Sequence, residues 1–258
     1  MLLISNMVKL NEPVDILVEF LRAEYKEPAR SSYSKRHTNT TETFSGDDLE
    51  TEFVVSSPKL LCVNSVSVGG TDKAKYVEYD IDLRNNKIVF RTAPITGSNN
   101  ISVDYDYNNA GQSWIYPRDP EREQKLTKAD YPRVAVSNIN SSGDIIGMGD
   151  DTTLDSFSFQ IDIVTKKGVV CTDYKYVNGS GTVSTISETN LNKNLVVVLK
   201  RGLRSAVKRN LRSKMRGVFF YDDQLILEDQ VLDFESELGV FRSILTLGIA
   251  GFNTGEII

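Results

Sequence analysis

The sequence predicts an α+β fold: a small mixed sheet packed by two helices, with an inserted all-β, sandwich-like domain. Three observations lead there. Apolar residues recur at helical spacing in two stretches, 14–25 and 195–215. Period-two alternation without any helical stretch fills the interval 43–107. Further alternating segments flank the second helical stretch. The economical organisation is one α+β domain built from residues 1–38 and 111–258, with an antiparallel β domain, 39–110, inserted in a loop.

In chain order, Asn11 has the chemistry of an N-cap and Pro13 fits the first helical turn, where a missing N–H costs nothing. Val14, Leu17 and Leu21, with Ile16 and Phe20, give that helix an apolar face, and Pro28 ends it. The polar, aperiodic run 29–41 reads as a linker or loop. Short strands follow, punctuated by Gly69-Gly70, Asn85-Asn86 and Pro94 with Gly97. The Asn-Asn pair suits a tight hairpin because Asn tolerates φ > 0. Tyr76, Tyr79, Ile81 and Leu83 read as the strand leading into it, and Ile101, Val103, Tyr105 and Tyr107 as a strand after it.

Residues 108–130 read as a connection, with the single tryptophan, Trp114, packed against a domain edge. Val134 and Val136 open a new strand. Phe157, Phe159, Ile161 and Ile163 mark a half-buried one. Val169, Val170, Cys171, Tyr174 and Tyr176 are further strand positions, before a loop tip at 177–181. Leu195, Leu199, Leu203, Val207, Leu211 and Met215 form a strict i+4 row, with Gly217 as its stop. Leu232, Phe234, Leu238 and Val240 then share one face, and 241–252 is apolar enough for a buried strand.

Composition excludes several classes. Thirty bases, 35 acids and 40% hydrophobic residues describe a globular chain of net charge −5, not a disordered one. Cys62 and Cys171 lie in apolar, strand-like contexts and read as buried free thiols, so no disulfide framework is expected. The apolar runs 60–63 and 195–199 fall far short of the roughly 20 residues of a membrane span. The N-terminus lacks the basic region and apolar run of a secretory leader. A soluble protein made inside the cell, without a membrane partner, is the expectation.

Catalytic constellations are thin. His37, the single histidine, lies in the polar linker with no ordered nucleophile or acid predicted beside it. One histidine and two distant cysteines make no transition-metal cluster, and no cofactor is implied. Gly143, Gly147 and Gly149 are spaced wrongly for a P-loop or a dinucleotide fingerprint. Asp144, Asp150, Asp151 and Asp155 crowd a loop without the spacing of a calcium-binding loop, so a solvated loop is the simpler reading and a hard cation the other. Asp80, Asp82, Asp104 and Asp106 alternate on strands, as the solvent face of a sandwich does; a glycosidase would need them across a cleft.

The strongest signal is electrostatic. Lys200, Arg201, Arg204, Lys208, Arg209, Arg212, Lys214 and Arg216 share the second helix without a single acid. The following segment carries Asp222, Asp223, Glu228, Asp229, Asp233, Glu235 and Glu237 without a base. Like charges at i,i+4 repel by a few tenths of a kcal/mol per pair. Three things offset that: the acids folding back within the chain, nucleic-acid phosphates, or the acidic face of a neighbouring copy in a head-to-tail ring.

The first helix, then Tyr131-Pro132-Arg133-Val134-Ala135-Val136, a polar Gly/Asp loop and the strand Phe157-Ser158-Phe159-Gln160-Ile161-Asp162-Ile163-Val164-Thr165-Lys166, resembles the tail-terminator proteins of tailed viruses. The segment from Phe44-Ser45-Gly46-Asp47-Asp48 to Asp104-Tyr105-Asp106-Tyr107 is similar to a β module common in structural proteins of those viruses. The long β insert departs from compact terminators.

The resemblance implies a non-enzymatic virion protein of the head–tail junction, assembled in the host cytoplasm. Its copies would form a ring, commonly a hexamer, that caps the tail tube and docks to a neck or head-completion protein. DNA would pass through the lumen without sequence recognition. Within that reading Lys200, Arg201, Arg204, Lys208 and Arg212 are the interface cations, and Asp222, Asp223, Glu228 and Asp229 their partners. The alternative is a baseplate or adhesin-like component whose β domain recognises a carbohydrate or another virion protein through Tyr76, Tyr79, Tyr105 and Tyr107. An enzyme such as a glycosidase or nuclease is a third reading.

Overall fold

The structure, a computed structural model, describes residues 13–25, 29–30, 38–108, 114–117, 131–145, 153–172, 174–177, 183–186, 190–191, 193–211, 226–229, 233–235 and 239–253. Within them the chain is a β-rich α+β protein with two α-helices and several sheets. The first helix, α1 (Pro13–Glu24), starts at the predicted proline; Asn11 and His37 lie outside the described residues.

After β1 (Ala29–Arg30) come β2 (Thr38–Gly46), β3 (Glu52–Val54), β4 (Leu60–Val68), β5 (Thr71–Asp72), β6 (Tyr79–Asp82), β7 (Lys87–Phe90) and β8 (Gly97–Tyr107). Strands β2 to β8 form two antiparallel sheets, ordered β2-β8-β4-β5 and β3-β7-β6, and among the described residues they pair only with one another. Val66, Val68, Ile101 and Val103 of the first sheet and Phe53, Ile81, Ile88 and Phe90 of the second belong to one buried cluster. The Phe44 and Phe53 rings, 5.6 Å apart, bridge the two sheets. The predicted hairpin joins β6 to β7, with Asn86 at φ 56°.

Three expectations for this segment need correction. Residues 38–41 are not linker: they open β2, opposite 104–107 of β8. In this edge strand residues 38–43 are polar on both sides, so no alternation announces its start. Tyr76 is not in a strand; it stands at φ 62°, where a bulky side chain is strained. Asp80 and Asp106 are buried rather than on a solvent face, and so are Tyr76, Tyr79 and Tyr105, which removes the aromatic surface a sugar would need.

The remaining strands are β9 (Ile115–Tyr116), β10 (Arg133–Ile145), β11 (Thr153–Lys166), β12 (Val170–Thr172), β13 (Tyr174–Val177), β14 (Val183–Ile186) and β15 (Asn190–Leu191). After them come α2 (Lys193–Ala206), β16 (Ile226–Asp229), β17 (Asp233–Glu235) and β18 (Val240–Asn253). The main sheet runs β16-β18-β11-β10-β9, with β17 also on β18. It is mixed, because β9 is parallel to β10 while its other pairs are antiparallel. Phe159, Ile161 and Ile163 of β11 and Leu245, Leu247 and Ile249 of β18 bury one face, on which α2 packs, while α1 packs on β10. Cys62 and Cys171 are buried free thiols.

Two predicted segments differ. Phe234 and Val240 of the predicted face lie in different strands: Gly239 at φ 62° turns the chain, Phe234 stands opposite Phe241, and Leu232 and Leu238 lie outside the described residues. The acidic loop is shorter than expected, since Asp144 pairs with Leu154 and Asp155 with Gly143 in the β10–β11 ladder. Asp150 and Asp151 lie outside the described residues. Among the described residues no group of three or more His, Cys, Asp or Glu is arranged to hold a metal ion.

Helix α1 joins the two parts of the fold, and it does so through polar groups. Nine of its twelve residues are buried, among them Glu19, Arg22 and Glu24. The Glu19 carboxylate accepts hydrogen bonds from Val63 N–H (3.0 Å), Lys75 Nζ (2.7 Å) and Tyr76 O–H (2.9 Å). Arg22 donates to Ile115 O at 2.6 Å and to Leu61 O at 3.5 Å; burial pulls its pKa down to about 10, so it stays charged at neutral pH. Asp15 pairs with Arg84 at 3.2 Å.

Glu19→Ala leaves Tyr76 O–H and the Val63 N–H without their acceptor and Lys75 with Val63 O alone, and the expected loss is about 3–5 kcal/mol in denaturant unfolding; a loss under about 1 kcal/mol would show the latch to be dispensable. Asp80 supplies a pH test. Burial pushes its carboxyl above the ordinary 3.8, against the pull of Arg91 3.5 Å away. Its native form therefore holds the proton more tightly than the unfolded chain does. The stability it contributes is present below 3.8 and is lost as pH rises through the higher folded value. Asp80→Asn should remove that decline from the stability profile just above pH 3.8, and unchanged profiles would refute the assignment.

Candidate subunit interface

Helix α2 has two unlike faces. Leu195, Leu199 and Leu203 are fully buried, and Val207 and Leu211 continue the row into a π-helical turn, Val207–Leu211. The turn has a physical cause. In an α-helix residues advance by about 100°, so a strict i+4 row drifts by about 40° at each step. A π turn closes on i→i+5 bonds and holds more residues, which swings the row back toward the sheet.

Opposite the buried row runs the basic stripe. At 3.6 residues per turn, Lys193, Lys200, Arg201, Arg204 and Lys208 fall within about 100° of arc, with Val197 at its centre. Arg201, Lys208 and Arg209 are exposed; Lys200, Arg204 and Val197 are half-buried. No acid occurs in 193–211, and among the described residues no carboxylate pairs with Lys200, Arg201, Lys208 or Arg209. Cations near a helix C-terminus gain from the peptide dipoles, which offsets part of their mutual repulsion.

The predicted partners are only partly placed. Glu228 and Asp229 sit on β16, an edge strand of the main sheet, opposite Thr246 and Leu245 of β18. Arg212, Asp222 and Asp223 lie outside the described residues. Asp162 and Arg242 form an ion pair of 2.8 Å on the main sheet that sequence patterning did not single out. The structure thus brings four of the predicted cations onto one helix face, and among the described residues Lys200, Arg201 and Lys208 pair with no acid.

Sequence reasoning missed what holds the stripe in place. At Gly202 a methyl group would overlap the ring of Tyr25, at the end of α1. That ring cannot swing aside, because it is buried and Trp114 packs on it at 5.5 Å between centroids. Asn210, buried in the π turn, donates to the Glu24 carboxylate. The visible signal was a glycine in the interior of a helix. No protein-family model matches this chain, and no curated protein is similar to it in sequence.

Gly202→Ala should destabilise the protein by about 1–3 kcal/mol through overpacking, despite the gain of about 1 kcal/mol that alanine brings to a helix interior. Guanidinium unfolding measures the sign; a stabilised variant would mean that Tyr25 does not seat on α2.

Proposed function

We propose that this chain is a structural subunit of the head–tail junction of a tailed virus, a tail terminator whose copies close into a ring, commonly a hexamer. The ring caps the tail tube and docks to a neck or head-completion protein, and DNA passes through its lumen without sequence recognition. The chain works by assembly, in the virion, without catalysis. Residues 39–110 form an inserted β-sandwich domain on the ring-forming part, 1–38 with 111–258.

The observation that carries this reading is the basic stripe of α2. Its inner face is held by the sheet, by Tyr25 and by Asn210, so the cations are presented on a rigid surface. A rigid surface of one sign, with no acid on its own helix, suits docking to an acidic neighbour. The sequence resemblance of the 131–136 and 157–166 strands supports the position in the particle. The carbohydrate-binding alternative is left without its aromatic surface, since three of the four tyrosines are buried.

Native mass spectrometry of the full chain tests it. The expected result is a closed multimer that dissociates in high salt, because exposed charges are screened. Arg201→Glu with Lys208→Glu should leave the circular dichroism melt unchanged and the protein monomeric. A parent chain that is monomeric at high concentration would refute the reading.

A further inference from the structure

The far end of the β-only segment gathers apolar side chains in solvent. Leu49 is 83% exposed, Ile95 62% and Val77 57%. Val77 and Ile95 line one groove of about 440 Å³ with Val68 and Pro94. The loop carrying Leu49 is bound to the groove wall: Asp48 N–H donates to Pro94 O at 3.0 Å, and Thr96 O–H donates to the Asp48 carboxylate at 2.6 Å. Contiguous exposed apolar surface marks an interaction site.

The charges around it are acidic. Asp47, Asp48, Glu50 and Asp72 are exposed at this end. The nearby bases already have partners: Lys73 pairs with Glu78 at 2.9 Å, and Arg91 donates to Tyr76 O at 2.7 Å. Residues 39–110 hold six bases against eleven acids, a net −5 that equals the charge of the whole chain. The rest of the chain is neutral, and 193–211 carries six bases without an acid.

We propose that this tip is the socket for the basic stripe of α2 from a second copy of the chain, an inference that rests on the ring-assembly reading and names its acidic half. The stripe has the complementary layout. Val197 meets the apolar centre, while Lys193, Lys200, Arg201 and Lys208 meet the acids around it. From Lys193 to Lys208 the helix spans about 22 Å, against about 14 Å across the four strands of the first sheet. The chain's own α2 does not serve. Strand β2 carries the loop 47–50 about 26 Å from Thr38, while α1 docks on Leu61, Val63 and Tyr76, with α2 on the main sheet.

The test is sedimentation and native mass spectrometry of the full chain. Leu49 and Glu50 are exposed, so Leu49→Ser with Glu50→Lys leaves the fold intact, as an unchanged melt verifies. That variant should self-associate about tenfold more weakly or not at all. A chain carrying both Glu50→Lys and Arg201→Glu should regain assembly. If Leu49→Ser with Glu50→Lys assembles like the parent while the α2 variant does not, the socket is refuted and the ring reading stands. If the parent does not assemble, both fail.

Discussion

The structure depends on the burial of the polar side of α1. A twelve-residue helix is marginal on its own, and burying Glu19, Arg22 and Glu24 adds a desolvation cost that only well-placed partners offset. Those partners come from every direction: Val63, Lys75 and Tyr76 on one side, Ile115 behind, Asn210 from the π turn. Apolar contacts alone would tolerate a helix rotated or slid by a fraction of a turn. A carboxylate accepting from a backbone N–H, an ammonium and a phenol does not. The helix is therefore fixed in register against both halves of the fold, and Tyr76 keeps its strained backbone because its hydroxyl is held there.

That register sets where the basic stripe points. Tyr25 follows α1 directly and fills the space Gly202 leaves, so the rotation of α2 about its own axis is tied to α1. The π turn then realigns the apolar row, and Asn210 fastens it to Glu24. Moving any of these would turn the cations toward the sheet, where they would be desolvated without acceptors. Placement of the charged surface is thus a consequence of packing several residues away from it.

Much of this was legible in the sequence where one face of an element is buried. The alternation of Phe159, Ile161 and Ile163 and the row from Leu195 to Leu211 both land in the core, and Asn86 does turn a hairpin. What escaped has a common physical reason. Strand β2 at 38–41 is an edge whose side chains are polar on both sides, so its pairing with β8 leaves no period to read. Asp80 and Asp106 obey the alternation expected of a solvent face, yet tertiary neighbours cover them. Glu19 and Arg22 look like the wet side of an amphipathic helix and become its buried anchors, because their partners are 44 and 93 residues away in the chain. The cations were found from composition. Of the acids proposed as their partners, Glu228 and Asp229 lie on the edge strand β16, and Asp222 and Asp223 lie outside the described residues.

The sign of the stripe also restricts the symmetry of any assembly that uses it. A contact that set α2 across a two-fold axis against its own image would place Arg201 and Lys208 opposite like charges in both halves at once. Such a contact costs rather than gains, increasingly so as water is excluded from it. An interface through α2 therefore needs a different, acidic patch on the neighbour, met reciprocally across a two-fold axis or head to tail in a heterologous contact. Heterologous contacts repeat from copy to copy, and they end only when the rotation closes a ring; otherwise they run on as a filament. The rigid seating of α2 on Tyr25 and Asn210 bears on that choice, since a fixed angle between stripe and body gives every copy the same rotation. Closure is then a geometric property of one chain, written in how α1 and α2 meet.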